Sequence, residues 1–175
     1  MTRGRGRRAW IGLGANIGDP LDQIRAALAG LDATEETSLE AVSSCYRSTP
    51  VGNPDQPDYL NAVARICTSI SPLALLSLLQ DLEKKGGRQR PAQRDAPRKI
   101  DLDLLLLEGC RYQTAQLIVP HPRLHKRRFV LEPLIELEGD IELPGLGCAS
   151  IWLKRRREQS VERLTGVLLI AQGES

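Results

Sequence analysis

The chain has 175 residues, 24 Lys and Arg against 22 Asp and Glu and a formal net charge of +2. That suits a single domain with a buried core, excludes a global field of the kind that draws nucleic acid, and leaves each basic residue to matter by where it clusters. Cys45, Cys67, Cys110 and Cys148 lie far apart, without a CxxC pair or a histidine at zinc-finger spacing, so free thiols in a reducing cytoplasm are expected.

The N-terminus, MTRGRGRR, reads as a flexible basic tail over residues 1–8. The apolar run after it is too short for a signal peptide or a membrane span. Residues 9–15 predict a buried strand whose Gly12 and Gly14 allow close packing. The GxG step lacks the third glycine and the later acid of a dinucleotide-binding fingerprint, so a Rossmann fold is rejected. Asp19-Pro20 is an N-cap and first-turn pair, and Leu21, Ile24, Leu28 and Leu31 share one helical face, predicting a helix over 20–31. A strand over 39–47 follows, then a loop, TPVGNPDQPDY, and a third strand over 59–70. Three prolines and a glycine restrict that loop enough to shape a pocket wall, although composition alone fits a plain connection equally well. Ser71-Pro72 opens a second helix with apolar Leu73, Leu76, Leu79 and Leu82, ended by Gly86-Gly87. Gln80 and Glu83 lie three apart on it and share a side, as solvated polar pairs commonly do.

Between residues 84 and 99 stand Lys84, Lys85, Arg88, Arg90, Arg94, Arg98 and Lys99 against one acid, Asp95. The strand after them, IDLDLLLL, alternates at its start so that Asp101 and Asp103 project the same way, about 6 to 7 Å apart at a rise of ~3.3 Å per residue. In strict alternation Ile100, Leu102, Leu104 and Leu106 line one face, and Leu105 and Leu107 join the aspartates on the other. Two like charges that close call for positive charge between them. Arg98 and Lys99 could supply it as ion pairs, or a divalent metal could. The excess of basic residues favours the metal, since paired acids holding Mg²⁺ beside arginines that take phosphate oxygens are the recurring parts of phosphoryl transfer.

Beyond the strand, Glu108-Gly109 turns, 111–119 is a weak extended segment, and Pro120-His121-Pro122-Arg123 leads into HKRR and Phe129, the chain's one phenylalanine. Leu131, Leu134, Ile135 and Leu137 mark a short helix; Ile151-Trp152-Leu153 begins another that ends in KRRR, and residues 158–175 read as a variable tail.

The segment Ala96-Pro97-Arg98-Lys99-Ile100-Asp101-Leu102-Asp103 resembles the signature of the 6-hydroxymethyl-7,8-dihydropterin pyrophosphokinases of folate biosynthesis. Three further stretches are similar to that family in the same order: Gly14-Ala15-Asn16, Asp58-Tyr59-Leu60-Asn61, and the spacing of His121, Arg127 and Phe129. The resemblance implies that Asn61 bonds the pterin's amide edge, that Tyr59 and Phe129 stack on its two faces, and that Ser48, Thr49 and Val51 form its rim. It implies ATP contacts from Gln80, Glu83, Arg90, Arg94, Arg98, His121 and Arg127, catalytic roles for Arg88 and Arg98, and two Mg²⁺ ions held by Asp101 and Asp103. Asp95-Ala96 stands where many members have Trp-Gly, so the aromatic cover over the ligands is missing from this loop, and Gln116 replaces a basic residue of some members.

The expected fold is α+β, a ferredoxin-like βαββαβ sandwich with short C-terminal helices, as one domain over residues 9–157. The expected activity is pyrophosphate transfer from ATP to 6-hydroxymethyl-7,8-dihydropterin by a cytoplasmic monomer, with no nucleic-acid or membrane partner. A ferredoxin-like RNA-binding module is the alternative, disfavoured because no strand carries an RNP-like aromatic cluster. A metal-dependent phosphohydrolase shares the carboxylates but not the pterin motif.

Overall fold

The computed structural model describes residues 6–50, 52, 54–87 and 100–167; Val51, Arg88, Arg90, Arg94 and Arg98 lie outside the described residues. Strand β1 (Arg7–Ala15) leads to helix α1 (Pro20–Ala33), where Asp19 Oδ1 accepts the Asp22 N–H at 3.1 Å and Pro20 occupies the first turn. Strands β2 (Thr37–Val42), β3 (Tyr46–Ser48) and β4 (Tyr59–Thr68) follow, then α2 (Pro72–Lys85), capped by Ser71 Oγ on the Ala74 N–H at 3.2 Å, and β5 (Asp101–Leu107).

The single strand expected over 39–47 is interrupted. Ser43 Oγ accepts the Val63 N–H at 2.9 Å, taking a bond that a continuous ladder would give to backbone, and Ser44 turns outward to Glu136. Counting β2 and β3 as one broken strand, the order is β-α-β-β-α-β. With a last strand, β10 (Val161–Arg163), the main sheet runs β10-β3-β4-β1-β5 with β2 also on β4, and every pairing is antiparallel. The protein is therefore α+β, as the sequence predicts.

The sheet has two unlike faces. Ala9, Ile11, Leu13, Ala62, Ala64, Ile66, Leu102 and Leu104 pack against Ile24, Leu28 and Leu31 of α1 and Leu75 and Leu79 of α2. Each such leucine or isoleucine contributes about 1.5–3 kcal/mol by leaving water. Trp10, Val63, Leu105 and Leu106 face the other way, against Val130, Leu131 and Leu134. The strict alternation expected along β5 fails at its end. Ile11 pairs with Leu104 but Trp10 with Leu106, so Leu105 is an extra residue in a bulge. Leu105 and Leu106 consequently share one side, and Leu107 returns to the α1/α2 core.

The second core is built by the C-terminal part of the chain. A small hairpin, β6 (Tyr112–Gln113) and β7 (Ile118–Val119), leads to a 3-10 turn (Leu124–Lys126) and to α3 (Arg128–Glu138). A second hairpin, β8 (Glu142–Leu143) and β9 (Gly147–Cys148), precedes α4 (Ala149–Lys154), and β10 (Val161–Arg163) closes the sheet beside β3. Both ends differ from expectation. Arg7 and Arg8 belong to β1 rather than to a tail, and the stretch after residue 158 contributes an edge strand, with the Leu164 N–H on the Cys45 carbonyl at 2.8 Å. A three-residue Val-Glu-Arg strand carries too little alternation to be read before its partner is known.

Candidate active site

On the α3 side of the sheet, β1 presents Gly12 and Gly14 where its neighbours present functional groups. Gly12 pairs with Asp103 and Gly14 with Asp101 on β5, and Gly14 pairs with Asn61 on β4. With no side chain on the central strand, the floor is low, and α3 covers only the Trp10 end. The rest is an open cleft of about 280 Å³. A Cβ on Gly14 would stand 3.3 Å from Asn61 Oδ1, so glycine also lets the amide lie close to the sheet.

At one end of the cleft are Asp101 and Asp103, brought together by the period-two spacing that the sequence predicts. Asp103 Oδ2 lies 3.4 Å from Arg127 Nη1 and 3.9 Å from His121 Nε2. His121 is fixed by two backbone contacts: its own N–H donates to the Leu105 carbonyl at 2.9 Å, and its Nδ1 accepts the Arg123 N–H at 3.1 Å. The accepting role of Nδ1 assigns the ring proton to Nε2, toward Asp103. Burial, reinforced by the Arg127 and Arg123 charges, lowers the His121 pKa to about 4, so the ring is neutral at neutral pH and serves as a donor. Arg127 is also shifted down by burial, against the pull of Asp103. Its guanidinium sits 5.7 Å from the Phe129 ring centroid, where the ring face helps to hold it in line.

The other end is framed by Ser48, Thr49, Tyr59, Asn61 and Phe129. Asn61 is buried, and its Nδ2 donates to Ser48 Oγ at 2.7 Å, which sets the direction of the amide. The proline-rich loop is tied to the end of β1 by Asn16, whose Nδ2 donates to Gln56 Oε1 and to the Pro57 carbonyl, both at 3.2 Å. Tyr59 O–H donates to the same Gln56 oxygen at 3.4 Å. A flat heterocycle with an amide edge would find two aromatic rings and an oriented amide here.

The structure thus gathers Ser48, Thr49, Tyr59, Asn61, Asp101, Asp103, Arg127 and Phe129 around one cleft, with His121 beside Asp103. Glu83 and Gln80 do not line it. α2 packs on the opposite face of the sheet, and Glu83 is buried with Oε1 accepting the Leu102 N–H at 2.9 Å. Through this bond Glu83 braces β5. Gln56, Arg123, Lys126 and Gln159 line the cleft without having been singled out. Arg123 follows His121-Pro122 closely enough to have been suspected; Gln159 has no sequence signal, because its place depends on how the chain's end returns to the sheet.

Among the described residues no group of three or more His, Cys, Asp or Glu side chains could by itself hold a metal. The pair Asp101 and Asp103, open to the cleft, nevertheless fits a hard cation such as Mg²⁺, which is commonly held by one or two carboxylates and completed by water and substrate phosphates.

The family model described as 7,8-dihydro-6-hydroxymethylpterin-pyrophosphokinase (HPPK) matches residues 10–139. The chain belongs to this family. It is 45% identical over 136 residues to the 2-amino-4-hydroxy-6-hydroxymethyldihydropteridine pyrophosphokinase of Haemophilus influenzae, covering 78% of this chain and 84% of that one. To the protein of the same name from Pseudomonas aeruginosa it is 40% identical over 160 residues, covering 91% and 98%. Among solved structures, a Plasmodium falciparum HPPK-DHPS with pterin and p-hydrobenzoate superposes with a TM-score of 0.66 at 12% identity. That match covers 89% of this chain and 45% of the solved chain, less than half of that longer protein, and it speaks to the fold. The residues at the HPPK cleft from Gly12 to Val130 lie inside the matched segment; Gln159 lies beyond it.

Proposed function

We propose that the chain transfers pyrophosphate from ATP to 6-hydroxymethyl-7,8-dihydropterin, giving the pterin diphosphate and AMP in tetrahydrofolate biosynthesis. The observation that carries this reading is a single cleft with two carboxylates at one end and an aromatic and amide pocket at the other. The names borne by relatives at 40–45% identity support it.

In this reading Asn61 binds the pterin's amide edge, and Tyr59 and Phe129 cover its faces, with Ser48, Thr49 and Val51 at the rim. Asp101 and Asp103 hold two Mg²⁺ ions with the triphosphate; the metal supplies Lewis-acid charge to the phosphates and to the attacking hydroxyl. Arg127 and neutral His121 donate to phosphate oxygens, a role suited to a guanidinium and an Nε2–H. Arg88, Arg90, Arg94 and Arg98 act on the ATP phosphates, Arg88 and Arg98 foremost in the transition state; this assignment rests on the sequence resemblance. A cytoplasmic monomer remains the expected setting. Among the described residues no helix is long and apolar enough to cross a membrane. The RNA-binding alternative has no support in the sheet, whose Trp10 is buried under α3.

Asn61→Ala tests the assignment. The KM for the pterin is expected to rise at least tenfold, on the order of what an unpaired amide edge costs, with the KM for ATP little changed. Equal rises in both would remove Asn61 from pterin recognition.

A further inference from the structure

Residues 157–163 bridge the two walls of the cleft, although they lie past the segment that matches the family model. On one side β10 pairs with β3, placing Val161 opposite Ser48. On the other, Gln159 meets the start of α3: its Oε1 accepts the Arg128 N–H at 2.8 Å and its Nε2 donates to the Lys126 carbonyl at 2.9 Å. The Arg128 guanidinium returns the contact, donating to the Gln159 carbonyl at 3.1 Å. α3 has a use for this amide. Its N-cap residue, Arg127, makes no side-chain capping bond, so an orphan first-turn N–H is satisfied from 31 residues away in sequence. Gln159 therefore grips the backbone immediately before and immediately after Arg127, the residue that reaches Asp103, and one step ahead of Phe129. It also lines the main cleft and a smaller hollow of about 190 Å³ next to it, together with Ser48, Thr49 and Phe129.

We propose that Gln159 is a positioning residue of the cleft: it holds the 126–129 turn so that Phe129 is preset for the pterin and Arg127 for the phosphates that the pterin must meet, and β10 ties that turn to the Ser48 wall. The inference rests on the pyrophosphokinase reading and deepens it. A turn without this grip spends only part of its time in the competent arrangement, and apparent affinity falls by that fraction.

The test is pterin titration by calorimetry on the full chain, with steady-state kinetics, for the wild type, Gln159→Leu and Gln159→Glu. Leucine keeps the bulk and removes both bonds; glutamate keeps the acceptor for the Arg128 N–H and loses the donor to Lys126. Gln159→Leu is expected to bind pterin about tenfold more weakly, with a matching rise in pterin KM, a smaller change in kcat, and faster hydrogen exchange at the Arg128 amide. Gln159→Glu is expected to fall between, with that amide still protected. Wild-type pterin affinity in Gln159→Leu would overturn the proposal. If that variant does not fold, Gln159→Glu decides alone, a weaker affinity upholding the proposal and wild-type affinity overturning it. A wild type that binds no pterin would sink the pyrophosphokinase reading itself, a failure visible before any variant is compared.

Discussion

In the proposed reaction the chemistry turns on Asp101 and Asp103, and each is placed by a different neighbour. Asp103 sits against Arg127 and His121, whereas Asp101 lies one pleat further toward the mouth of β5, beside Gly14. Removing either carboxylate leaves the packing of the strand intact, because Leu102 and Leu104 carry the core contacts. Asp101→Ala and Asp103→Ala are therefore expected to lower kcat by on the order of a thousandfold or more while far-UV circular dichroism stays unchanged. Near-normal rates in both would remove the two-carboxylate metal site from the account. Glu83 calls for the opposite pattern. Its carboxylate is buried against the Leu102 N–H, so Glu83→Ala strands a backbone donor and is expected to cost about 1–3 kcal/mol in urea unfolding. A variant as stable as the wild type would show that β5 does not need the brace.

At the level of elements, α3 is both the lid of the second core and the wall of the cleft, and a polar cluster fixes it to the broken strand. Glu136 accepts from Tyr46 O–H, from the Ser44 N–H at 2.9 Å and from Ser44 Oγ at 2.8 Å. Burial pushes the Glu136 carboxyl up, but these hydrogen bonds and Arg163 outweigh it, and its pKa lies below the usual carboxylate value. Tyr46 moves upward, through burial and the same carboxylate. A depressed carboxyl pKa stabilises the fold above the unfolded-state value, about 4.5, and that contribution is lost as pH falls through the folded value. Glu136→Gln is expected to lose roughly 1–2 kcal/mol at pH 7, with the gap to the wild type narrowing in urea titrations below pH 4. A gap that stays constant with pH would show that the charge on Glu136 does not contribute. The same cluster explains why the break in the 39–47 strand could not be read in advance: Ser43 and Ser44 look like ordinary strand residues until Val63 and Glu136 are brought beside them.

Across the whole molecule, what was legible in the sequence is what depends on local spacing. Caps at Asp19 and Ser71, the helices after them, and the shared face of Asp101 and Asp103 follow from periods of 3.6 and 2 and from short-range hydrogen bonds. The residues that meet at the cleft from four separate stretches were legible through motif resemblance, not through periodicity. What stayed hidden depends on long-range return of the chain: the bulge at Leu105, the strand β10, and Gln159 beneath α3. The bond from Glu83 to the Leu102 N–H stayed hidden for a related reason, since helical spacing tells which residues share a side but not which sheet face the helix covers.

The most direct test of the account is the nucleotide product formed from ATP, Mg²⁺ and 6-hydroxymethyl-7,8-dihydropterin, separated by chromatography beside controls lacking pterin or Mg²⁺. AMP and pterin diphosphate are expected in equal amounts, with no AMP in either control. ADP as the product, or nucleotide breakdown that proceeds without pterin, would contradict pyrophosphate transfer to the pterin.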